Sequence, residues 1–177
     1  MNEKEIVNKI DTLLAPFAQY TKKASKAYRN HVIRMALFAH ELVELDQKSS
    51  EKVVIAAVFH DLGIWTDKTF DYLAPSEALA ETYLRANGLE SYSKEVKEMI
   101  SYHHKIRTFK DNNLVETFRK ADLIDVYLGL PKFGISKQRI KEIRNAYPNS
   151  GFHKALIKLA SLQLLKTPWN PMPMIKF

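Results

Sequence analysis

The chain has 177 residues, 46% of them apolar, no cysteine, and 27 Lys and Arg against 20 Asp and Glu for a net charge of +7. That length suits one domain, no apolar run approaches the roughly 18 residues that span a bilayer, and the lack of cysteine excludes a disulfide framework and thiolate ligation of a metal. The basic excess favours anionic partners, but the cations are scattered without a block or a basic-aromatic pattern, so a solvated surface and a small anionic ligand fit them better than nucleic acid does.

Five glycines and long stretches of helical spacing predict an all-α domain, with no alternation that reads as a sheet. The first helix is expected over residues 3–14, stopping near Pro16, because proline removes a donor and restricts the residue before it. A long second helix is expected over about 24–45. Ser49 or Ser50 is a suitable cap for a third that carries Val53 through Asp61 and ends at Leu62-Gly63. Residues 64–75 read as an aromatic-rich loop able to wall a pocket, after which Ser76 caps a helix that stops at Asn87-Gly88. Ser93 opens the helix with Val96, Met99, Ile100 and His103, and Asn112-Asn113 begins the one with Asp122 and Asp125. Ser136 opens a helix to about Tyr147, the turn Pro148-Asn149-Ser150-Gly151 follows, and a last helix runs to about Leu165. The tail, about 167–177, is expected to be extended and, from its apolar content, docked. The first residues lack a secretory leader, which makes the cytoplasm the expected location.

Four polar side chains fall where this pattern demands apolar ones. His31 shares a helical face with Met35, Phe38 and Leu42. His60 and Asp61 close the run Val53-Val54-Ile55-Ala56-Ala57-Val58-Phe59, and Asp122 lies four residues after Phe118 and seven after Val115. A single histidine on an apolar face is more often a satisfied core residue, and a single aspartate near a helix end is often a cap. All four together are better explained by one divalent cation, since an unpaired buried carboxylate costs on the order of several kcal/mol. Two imidazoles and two carboxylates suit manganese, iron, cobalt, nickel, zinc or magnesium and leave coordination positions open for water and phosphate oxygen.

The words Asn30-His31-Val32-x-Arg34-Met35, Ala56-Ala57-x-Phe59-His60-Asp61-Leu62-Gly63 and Lys120-Ala121-Asp122-Leu123-x-Asp125 occur in an order that resembles the HD-domain superfamily of metal-dependent phosphohydrolases, over roughly residues 28–129. The resemblance implies a single HD-domain helical bundle with His31, His60, Asp61 and Asp122 as metal ligands. It further implies hydrolysis of a small anionic phosphorylated substrate, with nucleotides the leading class, by metal-activated water. An HD domain that binds a nucleotide or phosphate as a regulatory module without turnover is the alternative. Binuclear members, among them the di-iron oxygenases, use a further histidine where this chain has Ser76 or Glu77, which argues for one ion and against oxygenase chemistry.

Beside the ligands, His103 and His104 are candidates for proton transfer to a leaving oxygen or for contact with phosphate, because imidazole titrates near neutrality. Asp61 belongs to the catalytic set through the metal. Asp125, one turn after Asp122, is expected to orient a ligand or the attacking water or to pair with a lysine, while Asp67 and Asp71 are candidate bases or substrate contacts, although loop aspartates are more often solvated turn formers. Lys105 and Arg107, which follow the histidine pair, are the first choices for phosphate binding, with Arg29 and Lys120 next. Trp65 and Phe70 are as well suited to closing a core as to stacking on a base. A homodimer is left open by the sequence.

Overall fold

Asn2 starts the first helix. Its side chain accepts the N–H of Glu5 at 2.9 Å while the Glu5 carboxylate accepts the N–H of Asn2, so two donors that the first turn leaves unpaired are satisfied reciprocally. In the computed structural model, which describes residues 1–21 and 24–176, this helix α1 (Glu3–Leu14) buries Ile6, Ile10 and Leu13 on one stripe and ends at a tight turn containing Pro16. A single turn, α2 (Ala18–Thr21), leads to α3 (Ser25–Leu42), in which every residue from Ala27 to Ala39 except Arg29 is buried. Buried all round, α3 is the axis of the fold. It packs against α1, against α4 (Gln47–Phe59), and most extensively against α8 (Asn113–Val126).

The remaining elements surround that axis. They are α5 (Gly63–Thr66), α6 (Leu73–Ala86), α7 (Ser93–Tyr102), α9 (Lys137–Ala146) and α10 (Phe152–Lys166). Among the described residues 70% are helical and no strand occurs. One hydrophobic cluster joins α1, α3, α4, α6, α7, α8, α9 and Phe152, and a small second cluster of Ile64, Phe70, Tyr72, Leu73 and Met174 sits beside it.

Several boundaries differ from expectation for local reasons. Helix α4 is capped by Asp46, whose carboxylate accepts the Ser49 N–H at 2.7 Å, whereas Ser50 is buried with its hydroxyl on His40 Nε2. Helix α3 stops at Leu42 because Val43 is already extended. Within the expected loop, Gly63 opens a helical turn, and α6 begins at Leu73, three residues before Ser76. Pro75 lies in that first turn, where its missing N–H removes no helical bond. Ser76 is therefore no cap; its Oγ accepts the Gly63 N–H at 3.0 Å. A Cβ at Gly63 would stand 2.7 Å from the Tyr72 carbonyl oxygen, so only glycine lets α5 and the start of α6 approach this closely.

Asn112 and Ser136 do cap α8 and α9, and Gly151, at φ +91°, opens α10. The tail is folded into turns more than it is extended, and it docks: Met174 is 2% exposed, and the Ile106 N–H donates to the Lys176 carbonyl at 2.9 Å. Phe177 lies outside the described residues. No helix of the described residues is long and apolar enough to cross a membrane.

Candidate metal centre

The four expected ligands converge at the middle of α3, the end of α4 and the last turns of α8. His31, in the centre of α3, places its Nε2 3.1 Å from His60 Nε2 and 3.8 Å from both Asp61 Oδ2 and Asp122 Oδ1. His60 Nε2 is 3.3 Å from Asp61 Oδ2. The sequence pattern explains the convergence: the apolar run of α4 drives its end into the core, and His60-Asp61 follows directly. All four side chains are at most 6% exposed.

The hydrogen bonds on the far side of each ring decide what the near side can do. His31 Nδ1 faces the Asp125 carboxylate at 2.7 Å, His60 Nδ1 the Ala57 carbonyl at 2.8 Å, and His103 Nδ1 the Ile100 carbonyl at 2.7 Å. Each partner can only accept, so each Nδ1 carries the proton, and in its neutral form each ring turns a bare Nε2 lone pair inward. Two such lone pairs 3.1 Å apart repel unless a proton or a metal cation lies between them. That spacing is close to the roughly 3 Å expected for two ligands about 2.1 Å from one ion at a right angle.

The carboxylates point the same way. Asp61 Oδ1 and Asp122 Oδ2 are buried without a hydrogen-bond partner, among the few such atoms in the described residues. Burial pushes the Asp122 carboxyl up. Burial would raise Asp61 too, but His60 and His103 beside it hold it well below the usual carboxylate range. Burial lowers His31; burial would lower His60 too, but Asp61, together with Asp122 and the Ala57 carbonyl, raises it. The residues present therefore fit a divalent ion, which would satisfy the unpaired oxygens and the facing lone pairs together.

The donor set is wider than four. His103 is 1% exposed and its Nε2 lies 3.6 Å from Asp61 Oδ1, while His104 Nδ1 lies 3.7 Å from Asp122 Oδ2. Three overlapping triads result, His31-His60-Asp122, His60-Asp61-His103 and His103-His104-Asp122. The His104 side chain is 24% exposed at the edge of the centre, and its Nε2 is held by the Tyr72 hydroxyl at 2.8 Å. Burial, with His103 alongside, pushes His104 well below its ordinary value.

Other expected site residues lie elsewhere. Asp125 does not face the centre: it is fully buried behind His31 and binds Arg34 through both oxygens at 2.5 and 2.7 Å, with Arg144 at 3.3 Å. Burial alone would raise Asp125, yet Arg34 and His31 hold it far below the carboxylate range. It lies behind the His31 ring, where it orients that ligand and does not reach an attacking water. Arg29 turns away to grip the Asp11 carboxylate at 2.5 and 2.8 Å, since that partner lies across the α1 contact. Lys120 lies 3.7 Å from Glu116 and over the Phe133 ring. Lys105 and Arg107 line an open surface hollow with Thr108 and Lys110, because the backbone of this segment is drawn to α8 by the Lys105 carbonyl, which accepts from Arg119, and to the tail by Ile106.

Sequence reasoning missed four contributors. Arg34 was visible in the word around His31 and lies one turn further on the same face. Tyr72 was hidden in the aromatic segment. Phe152 stacks on the His31 ring at 4.1 Å, and Arg144 reaches Asp125, contacts that no local pattern announces.

A helical bundle that buries a His-Asp donor cluster across its central helix defines a metal-binding class of α-domain. The family model described as HD domain matches residues 28–127, more than half of the chain, and the chain belongs to that family. No curated protein and no solved structure matches the chain.

Proposed function

We propose that the chain is a metal-dependent hydrolase that cleaves a small phosphorylated compound. The observation that carries this reading is the set of three inward Nε2 lone pairs and two unpaired carboxylate oxygens at the inner end of a cavity reached by Asp61 and His104. His31, His60, Asp61 and Asp122 are the residues that would hold the ion. A divalent ion bound there supplies charge neutralisation for a phosphoryl group and a water of lowered pKa. The mixed nitrogen and oxygen donors favour a first-row transition ion over magnesium, which prefers oxygen.

The protein's own contribution is orientation and proton handling. Asp125 fixes the His31 tautomer, and Arg34, whose Nη1 also donates to the Tyr147 carbonyl at 2.8 Å, fixes Asp125. Tyr72 holds the His104 ring at the mouth. His104, at the edge of the centre, is placed to take a proton from the attacking water as that oxygen bonds to phosphorus and to pass the proton to the ester oxygen as it leaves.

Metal content of the purified protein, followed by a screen of phosphoesters with each candidate ion, tests the proposal. The expected result is a retained ion and hydrolysis that is lost with a chelator and restored by the ion. A protein that retains an ion and binds a phosphate compound without cleaving any ester is a regulatory module instead.

A further inference from the structure

A cavity of about 210 Å³ adjoins the metal centre. Its inner end is made by Asp61, His104 and Tyr72, and the rest of the wall is apolar, contributed by Phe70, the end of α8, the inward side of α10 at Leu156 and Ala160, and the tail at Met172 and Met174. No lysine, arginine or amide side chain lines it. The tail is fixed in this position by the docking of Met174 and by the Ile106–Lys176 backbone hydrogen bond.

We infer that this cavity binds a compact, uncharged apolar group, an aromatic ring or a branched alkyl chain, carried by the compound that reaches the metal centre. The inference deepens the hydrolase reading, on which its phosphoester part rests, by naming the organic half of the substrate. Size supports it: a dry cavity of about 150 Å³ holds benzene, so 210 Å³ accepts one ring with a short substituent, whereas pockets for larger ligands begin at about 300 Å³. Chemistry supports it too. The three polar residues in the wall are grouped at the metal end, so a nucleobase placed in the outer part would meet Phe70, Leu156, Ala160 and the methionines with its hydrogen-bonding edge unpaired. Each such loss weakens binding by roughly tenfold. The nucleotide expected from family resemblance is therefore the poorer occupant. Two methionines in the wall give it the adaptability to close around different apolar shapes.

The test uses metal-loaded protein and matched phosphonates that cannot be hydrolysed. Phenylphosphonate should bind about tenfold or more tightly than methylphosphonate, from the apolar area the ring buries, and more tightly than a nucleoside monophosphate. Ala160→Phe, at a half-buried position on α10, should abolish the preference and leave metal content and methylphosphonate affinity unchanged. Methyl resonances of Met172 and Met174 should shift with benzyl alcohol, which has the ring and no phosphorus, in the wild type and not in Ala160→Phe. Equal affinity for the two phosphonates, tighter binding of the nucleotide, or methionine signals indifferent to the ring would each overturn the inference. Methionine shifts with benzyl alcohol but no phosphonate binding would sustain the cavity assignment and overturn the hydrolase reading instead.

Discussion

Replacing Asp125 and Asp122 by asparagine should move the stability of the metal-free protein in different directions, although the two residues are one helical turn apart. Asp125 is the counter-charge of Arg34, whose side chain is 1% exposed and which has no way to lose its proton. Asp125→Asn keeps the shape but leaves that guanidinium buried without a carboxylate, and breaking a buried pair from one side costs about 3–5 kcal/mol. Asp122 has one oxygen without any partner, and burial already works against its charge. Asp122→Asn removes an uncompensated carboxylate and should leave the metal-free protein as stable as the wild type or more so. Metal binding should rank the opposite way: Asp122→Asn removes a ligand, whereas Asp125→Asn only loosens the His31 ring and should weaken binding by about 10–100-fold. Urea unfolding with a chelator present measures the first quantity, and competition against a metal indicator measures the second. If metal-free Asp125→Asn unfolds within about 1 kcal/mol of the wild type, Arg34 does not depend on this carboxylate and the account of Asp125 is wrong.

Other outcomes follow from the same geometry. His60→Ala or Asp61→Ala should leave protein that retains no ion after dialysis, read by elemental analysis, since each removes a ligand. Tyr72→Phe frees the His104 ring from its hydroxyl partner and should lower kcat on a phosphoester while leaving metal content unchanged; an unaltered kcat would remove Tyr72 from the mechanism. Gly63→Ala drives a Cβ against the Tyr72 carbonyl and Pro75, and thermal unfolding should show a loss of about 1–3 kcal/mol as α6 shifts. Replacing Arg107 by Ala should leave KM for a small phosphoester unchanged, because Arg107 lines the outer hollow and not the cavity beside Asp61.

Much of this architecture was legible because it is carried by local pattern. Asn112, Ser136 and the turn ending at Gly151 mark helix starts, and the run 53–59 announces that His60 and Asp61 enter the core. The four ligands were legible for a related reason: a polar residue on an apolar stripe is visible without knowing what it meets. Direction was not legible. Arg29 and Arg34 stand one turn or less from His31, yet one turns outward to Asp11 and the other inward to Asp125, a choice made by partners 18 residues before and 91 residues after. The segment 64–75 misled because its compactness comes from Gly63, Pro75 and Ser76 packing against each other, a tertiary matter. The cations after the histidine pair were read as close to the metal by sequence distance, but the segment leaves the centre along α8 and the tail.

The way the histidines are held has a consequence for the order of folding. His31 meets His60 across 29 residues and is aimed by Asp125 across 94, so its ring reaches its place only when α3, α4 and α8 are docked together, whereas His60 and His103 are aimed by carbonyls three residues before them. A chain in which only neighbouring helices have paired would offer at most part of the donor set, with the His31 ring free to rotate. Ion capture with native affinity is thus a property of the finished tertiary structure, and in a refolding experiment it should report the last long-range docking step rather than the growth of helix.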